Sequence, residues 1–347
     1  MAIVINGSGT VTGLAVGGLP DGTVDTDTLA TDSVTAAKIP ASLENTFVSG
    51  RKNLIINGGF DVWQRGNSFS GSEYSADRWA QSLSGGTATT TQETFTLGQT
   101  DVPDNPTYYL KQDCSVGNNN LGINQPIEDV RNGAGQNVTV SFYAKGTNPN
   151  GGTFDLQLLQ RFGSGGSATI TTSTTLSINS GWTKHTHTFT VPSITGKTIG
   201  TGSNLDFTIR QTSTDTSTNA WELNVANVQV ELGDTATDFE HRSYGEELAL
   251  CQRYYEKGYA QGSGAYIINH IVNAKQSFIA TKRAVPTITF SGTSTVYVSG
   301  TTPSTSAQST DNIHVDGFYS RVTTSGTTNS GKACTVYGVD YYADAEL

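Results

Sequence analysis

The chain has 347 residues, a net charge of −10, 39 glycines and only 14% charged residues, against about 25% in an average domain. That length admits two domains with an appendage, and a composition rich in glycine, threonine and serine favours turns and strands over helices. No block of lysines and arginines is present, which removes the electrostatic footprint of nucleic-acid binding, and no apolar run is long enough to cross a bilayer as a helix.

Residues 1–50 are low in complexity. Val4 to Leu14 reads as a short extended segment around a glycine turn. Two related decads follow, DGTVDTDTLA at 21–30 and TDSVTAAKIP at 31–40, and they space Val24, Leu29, Val34 and Ile39 five residues apart. A period of five builds neither a one-faced strand nor a one-faced helix. A disordered linker, too poor in apolar groups to fold alone, is one reading. A stem whose apolar residues meet those of other copies in layers around an axis is the other, and the regular period favours it. The start of the chain has no basic segment and no sustained apolar segment, so no signal peptide is expected.

Residues 51–243 predict one β-sandwich. Leu54–Ile56 reads as a short buried strand that Asn57-Gly58-Gly59 breaks. Further strands are expected at 88–95, 108–112, 138–144, 154–161, 168–176, 185–191, 205–211 and 221–231, with glycine- and asparagine-rich turns between them. Phe60, Trp63, Trp79, Phe142 and Trp221 are expected in the core. Residues 245–257 predict the one helix, with Leu248, Cys251, Tyr254 and Tyr255 on its apolar face and Gly258 at its end. Residues 259–347 return to strands at 265–272, 276–281, 287–291, 294–298, 317–323 and 335–342. Thr301–Ser309 is expected to be a loop, and Pro286 to start a strand or mark an edge. The fold class expected is all-β: an extended stem over 1–50, a sandwich over 51–243, and a connecting helix with a distal β domain over 244–347.

Enzyme signatures are weak. No GxSxG elbow occurs. Gly196-Lys197-Thr198 ends like a phosphate loop, but Val191 stands where that motif needs glycine. His185 and His187 share one face of a strand and could hold a metal, yet without a third ligand they are expected to face solvent. Cys114, Cys251 and Cys334 lack metal or disulfide spacing and read as isolated thiols. Asp155, Asp206, Glu222 and Glu231 fall near strands, and a solvated face is the default for each. Trp182 at a glycine turn and Tyr108 are the candidates for stacking on a sugar. In the distal segment Tyr319, Arg321 and Tyr342 are the candidates for contact with a receptor, because tyrosine and arginine give contact area and directional hydrogen bonds. Tyr337, Val339 and Tyr341 alternate and are expected to pack one core face.

Asn53-Leu-Ile-Ile-Asn-Gly-Gly-Phe-Asp-Val-Trp-Gln-Arg-Gly66 and Ala76-Asp-Arg-Trp79 resemble the opening of a jelly-roll module of bacteriophage tail fibres and tail spikes. More distantly they are similar to the NGGFE opening of jelly-roll carbohydrate-binding modules. Val228-Gln-Val-Glu-Leu-Gly233, Ala236-Thr-Asp-Phe-Glu240 and Cys251-Gln-Arg-Tyr-Tyr255 resemble the end of that module and its joint to a distal domain, and Ala343–Leu347 resembles a fibre C-terminus. The resemblance implies a non-enzymatic, homotrimeric virion protein made in the host cytoplasm. Its stem would join the tail or baseplate and its distal domain would meet a host glycan or protein. A free carbohydrate-binding module and a capsule-degrading tail spike are the alternatives. No cofactor is expected, except that the resemblance places Asp61 where an acid can help hold a structural calcium; Asn227 stands where a second acid would be looked for.

Overall fold

The computed structural model describes residues 4–5, 11–12, 51–83, 85–117, 120–148, 153–212, 218–267, 270–298, 304–322 and 332–347. The chain divides into two units, 1–50 and 51–347. In the first, β1 (Val4–Ile5) pairs antiparallel with β2 (Val11–Thr12), the short extended segment read from the sequence. Val24, Leu29, Val34 and Ile39 lie outside the described residues.

The second unit is all-β with one short helix. Its first part is a jelly-roll sandwich of two antiparallel sheets. One sheet holds β4 (Ala80–Ser82), β7 (Gly122–Glu128), β9 (Phe154–Arg161), β10 (Ile170–Leu176) and β12 (Asn204–Gln211), in the order β10-β9-β12-β7-β4. The other holds β3 (Ser68–Phe69), β5 (Thr87–Thr94), β6 (Tyr108–Val116), β8 (Asn137–Thr147), β11 (Thr183–Thr190) and β13 (Trp221–Leu232), in the order β11-β8-β13-β6-β5-β3. Alternation points Leu110, Val140, Leu158, Phe207 and Val225 into a single core. Trp79 sits in that core, 5.0 Å from Phe60 and edge-on to Phe207 at 5.9 Å.

Leu54–Ile56 is not a ladder strand. The backbone there bonds mainly to side-chain amides. Asn53 Nδ2 donates to the Val228 carbonyl, while its Oδ1 accepts from Ile55 N and Val230 N. Gln125 clasps Ile56 through two 2.8 Å bonds. Gly58 approaches the β13 bulge so closely that a Cβ would lie 2.2 Å from the Val228 oxygen. The downstream motif is explained the same way. Buried Gln229 and Glu231 bind Thr237 and the Glu240 amide, folding 233–240 back over β13.

Helix α1 (Tyr244–Gln252) begins at a Ser243–Glu246 capping box and ends at Arg253. It is shorter than the sequence pattern predicts. Tyr254 and Tyr255 are buried, but they do not continue the helix: β14 (Tyr255–Ile267) begins there. Leu248 is only half-buried, and Glu247 takes the inward position, accepting from Asn57 N at 2.6 Å.

The last part is a closed barrel of six strands. β14 is followed round the ring by β15 (His270–Ser277), β19 (Gly317–Val322), β18 (Ser304–His314), β17 (Thr293–Val298) and β20 (Ala333–Asp344), and β20 pairs again with β14. β16 (Thr287–Phe290), directly after Pro286, adds to the C-terminal end of β20. Closure removes the open edges that a short sheet would expose. The interior is filled by Phe318, Tyr341, Ala260 and Ala343 in one cluster and Val296, Val322, Cys334 and Val336 in another. Two expectations are corrected here. The stretch 265–272 is shared between the end of β14 and the start of β15, and Ser304–Ser309, expected as loop, belongs to β18.

Sandwich and barrel meet at a polar, buried joint. Arg78 is 1% exposed; its guanidinium lies 3.5 Å over the Tyr254 ring, pairs with Glu346 and donates to the Pro126 carbonyl. Arg65 stacks 3.6 Å over Tyr255 and pairs with Asp77 at 3.8 Å, Asp344 at 3.5 Å and Glu346 at 3.2 Å. Tyr74 donates to the Leu347 carbonyl. Inside the barrel base, Lys282 and Glu256 are both fully buried and paired at 2.6 Å, and Tyr341 donates to the same carboxylate.

Two predictions follow from the joint. Removing one partner of a buried ion pair leaves an uncompensated charge and costs about 3–5 kcal/mol. Arg78→Met should therefore lower the unfolding free energy obtained from urea titration by that much, and a loss under about 1 kcal/mol would show the pair to be dispensable. Burial pushes the Asp77 carboxyl up to about 6, against the opposing pull of Gln64 and Arg65. Its folded value lies above its unfolded one, so its contribution to stability is complete below pH 3.8 and is lost as pH rises through about 6. Melting temperatures taken from pH 4 to pH 7 should fall more steeply for the parent chain than for Asp77→Asn; parallel curves would contradict this.

Candidate functional site

The opening motif turns sharply, with Asn57 and Phe60 at φ of 57° and 60°. Asn57 holds the turn: its Nδ2 donates to the Val62 and Asp77 carbonyls, its Oδ1 accepts from Val62 N, and its carbonyl accepts from Trp79 Nε1. The turn sets Asp61 and Trp63 beside Gln92 at the inner face of β5, Thr107 and Tyr108 at the start of β6, and Tyr244 at the start of α1. These six residues line an open cleft of about 720 Å³. Trp63 is half-buried, fixed by its Nε1 bond to the Phe60 carbonyl and by stacking on Phe69. It packs against the core expected from the sequence but is not enclosed in it. Tyr244 is 60% exposed. Although Asp61 reaches the surface, surrounding atoms desolvate its carboxyl and push its pKa above the ordinary range; Glu247 adds to this and His241 opposes it.

Three aromatic side chains, a carboxylate, an amide and hydroxyls thus converge on one concavity. Aromatic bodies offer apolar area while their polar neighbours fix orientation. Of the residues expected to contact ligand, Tyr108 is here and Trp182 is not. Tyr108 and Tyr109 point to opposite faces of β6. Trp182 joins Tyr109 and Phe95 on the outer face, with ring centroids 5.2 Å and 5.1 Å from it, and Lys145 lies 5.1 Å over the indole.

The three distal candidates are also separated. Tyr319 and Arg321 are on the outer wall of β19, half-buried, while Tyr342 is on β20. In the ring of six strands these two strands are three steps apart in either direction. Tyr342 stacks on Tyr255 at 6.5 Å and 17° and lines a second open cleft, about 680 Å³, with Arg65, Thr287, Thr289, Asp344 and Glu346.

Metal candidates fare differently from expectation. His185 and His187 are half-buried and do not simply face solvent. His185 stacks on Phe142 at 5.5 Å, His187 meets Phe189 edge-on, and both line a cavity of about 200 Å³ between the sheets at the β10 and β11 edge. Burial lowers the pKa of His185. Among the described residues, no three His, Cys, Asp or Glu side chains converge as a metal site. Beside Asp61, the Asn57 oxygens are engaged in the turn and Glu247 is committed to Asn57 N and Arg242. These residues do not fit the six to eight oxygens of a calcium site. The three cysteines are buried and form no disulfide with one another.

No family model and no curated protein matches the chain. Solved structures similar to it include the N-terminal cellulose-binding domain of Cellulomonas fimi β-1,4-glucanase C, at 16% identity over 49% of this chain and 97% of that chain with a TM-score of 0.29. A xylan-binding domain from Paenibacillus barcinonensis matches at 16% identity over 48% of this chain and 98% of that one, with a TM-score of 0.30. The enzymatically active domain of a tailspike protein of bacteriophage CBA120 matches at 15% identity over 52% of this chain and 21% of that one, with a TM-score of 0.31.

Proposed function

We propose that the chain is a non-catalytic saccharide-binding protein and that the cleft of Asp61, Trp63, Tyr108 and Tyr244 takes the sugar. The observation that carries this reading is the convergence of three aromatic side chains with Asp61 and Gln92 in one open concavity. Binding is favoured over hydrolysis because the cleft is lined by a single carboxylate, where glycosidases use two. Tyr108 and Tyr244 would cover the apolar faces of a sugar ring while Asp61 and Gln92 bond its hydroxyls. On titration of the full chain with a glycan found by array screening, Tyr108→Ala and Tyr244→Ala should each weaken binding about tenfold, or about 1.4 kcal/mol. Trp182→Ala, on the other face, should leave it unchanged. Parent-like affinity in both tyrosine variants would sink the cleft reading.

A second reading, a homotrimeric phage tail fibre, draws support from the sequence motifs and from the separation of residues 1–50 as a unit. In it the stem attaches to the virion, and the distal strands, with Tyr319, Arg321 and Tyr342, reach the host surface. Light scattering at micromolar concentration should then give three times the chain mass of 36.7 kDa; a stable monomer would remove this reading and leave the first intact.

A further inference from the structure

The outer wall of the barrel holds a feature that the cleft reading leaves unused. Strict alternation along β20 would put Tyr337, Val339 and Tyr341 on one face. A β-bulge prevents it. Ala260 opposes Val339 and Gly262 opposes Val336, so three steps on β20 meet two on β14. The extra residue falls at Tyr337–Gly338. A Cβ on Gly338 would lie 1.1 Å from the Ala260 carbonyl oxygen, so only glycine fits. Val336, Val339 and Tyr341 stay inside, at 4%, 8% and 4% exposure, while Tyr337 is turned out to 54%.

Tyr337 is not alone there. Tyr297 on β17 meets it edge-on at 5.2 Å and is 46% exposed. Tyr259 on β14, 49% exposed, lies across the other flank of β20, where its Cα partner is Asp340. Three tyrosines thus stand on three neighbouring strands. The wall around them is neutral. Ser263 and Thr335 share a hydrogen bond across the β14–β20 pair, Thr295 is the Cα partner of Tyr337, and Lys257 neutralises Asp340 at 3.1 Å. Bulges re-aim side chains next to functional sites and cost ladder pairing. Here the bulge turns the Tyr337 ring out against Tyr297, on the face that also carries Tyr259, next to Gly338, whose backbone admits one residue type.

We infer that this tyrosine wall is a second binding site, separate from the cleft, for a neutral saccharide chain. Ring faces match the apolar faces of pyranoses, and the flanking hydroxyls match their hydroxyl groups in number of donors and acceptors. The cancelled Lys257–Asp340 charge disfavours an anionic polymer. A protein partner fits less well. Each tyrosine can bury at most about 150–250 Å², and roughly half of each is already covered, which leaves the patch well short of the about 800 Å² per side of a stable protein interface.

Affinity electrophoresis of the full chain through gels containing dextran, amylose, xylan or mixed-linkage β-glucan, with hyaluronan as the anionic control, tests this. At least one neutral polymer should retard the parent chain. The Tyr297→Ala/Tyr337→Ala pair, both exposed and so harmless to the fold, should weaken that retardation about tenfold. Tyr337→Phe, which keeps the ring, should stay within about threefold. The Tyr108→Ala/Tyr244→Ala pair tests the cleft separately and should keep the wall's share of the retardation. No retardation by any neutral polymer, equal retardation of parent and Tyr297/Tyr337 variant, or loss seen only with hyaluronan would each overturn the inference.

Discussion

The buried guanidinium of Arg78 fixes the second unit. It is held in a left-handed backbone conformation, φ 73°, between the Tyr254 ring, Glu346 and the Pro126 carbonyl. A fully desolvated cation is tolerable only with this density of partners, because the low dielectric that strengthens each contact also magnifies any contact left unmade. Its partners come from three places far apart in sequence: β7 through Pro126, the residues after α1, and the C-terminus. Fixing Arg78 therefore fixes all three at once. Lys282 with Glu256 repeats the device one layer deeper, inside the barrel base.

Side-chain amides do for the sandwich what ion pairs do for the joint. Asn53, Asn57, Gln125 and Gln229 are almost fully buried and bond to main-chain groups. Buried backbone donors and acceptors must be paired, and here segments without a ladder partner find one in an amide. This explains why the opening motif can depart from strand geometry without losing stability, and why Phe60 can occupy a left-handed conformation in the core. An ionised carboxylate could not replace these amides, since it only accepts, whereas each amide donates and accepts at the same time.

Much of the fold was legible because alternation and turn chemistry act locally. The strands at 138–144, 154–161, 205–211 and 221–231 were readable from β-branched and aromatic residues between glycine and asparagine turns; the structure keeps 154–161 as read, adds one residue to each of the last two, and extends the first to Asn137–Thr147. Where a non-local partner decides, the sequence misleads. Tyr254 and Tyr255 complete a helical period, yet Arg78 and Arg65 bind their rings and Asp344 pairs the backbone, so the strand wins. Ser304–Ser309 has loop composition, but β17 and β19 flank it and barrel closure supplies the ladder. The site was legible in part. Tyr108 and Asp61 were singled out, whereas Tyr244 was hidden in a helix start and Trp63 was assigned to the core. Tyr337 was placed inside by a rule that holds only until a bulge shifts the register.

The same fourteen-residue opening motif builds the cleft on one side and the joint on the other. Asp61 and Trp63 face the cleft; Gln64 and Arg65, only one residue further on, bind Asp77, Tyr255 and the C-terminal acids. Such closeness invites the idea that a bound sugar could move the barrel. The packing argues otherwise. Energetic coupling needs an element with two discrete arrangements that both sites bias. Asn57 closes its turn with bonds to Val62, Asp77 and Trp79 at once, and none can shift without stranding a buried partner. A corner so constrained has one arrangement. It holds the cleft and the barrel at a fixed spacing and angle; under the proposed two-site binding, a first contact would orient the second and raise its effective concentration without any change of shape.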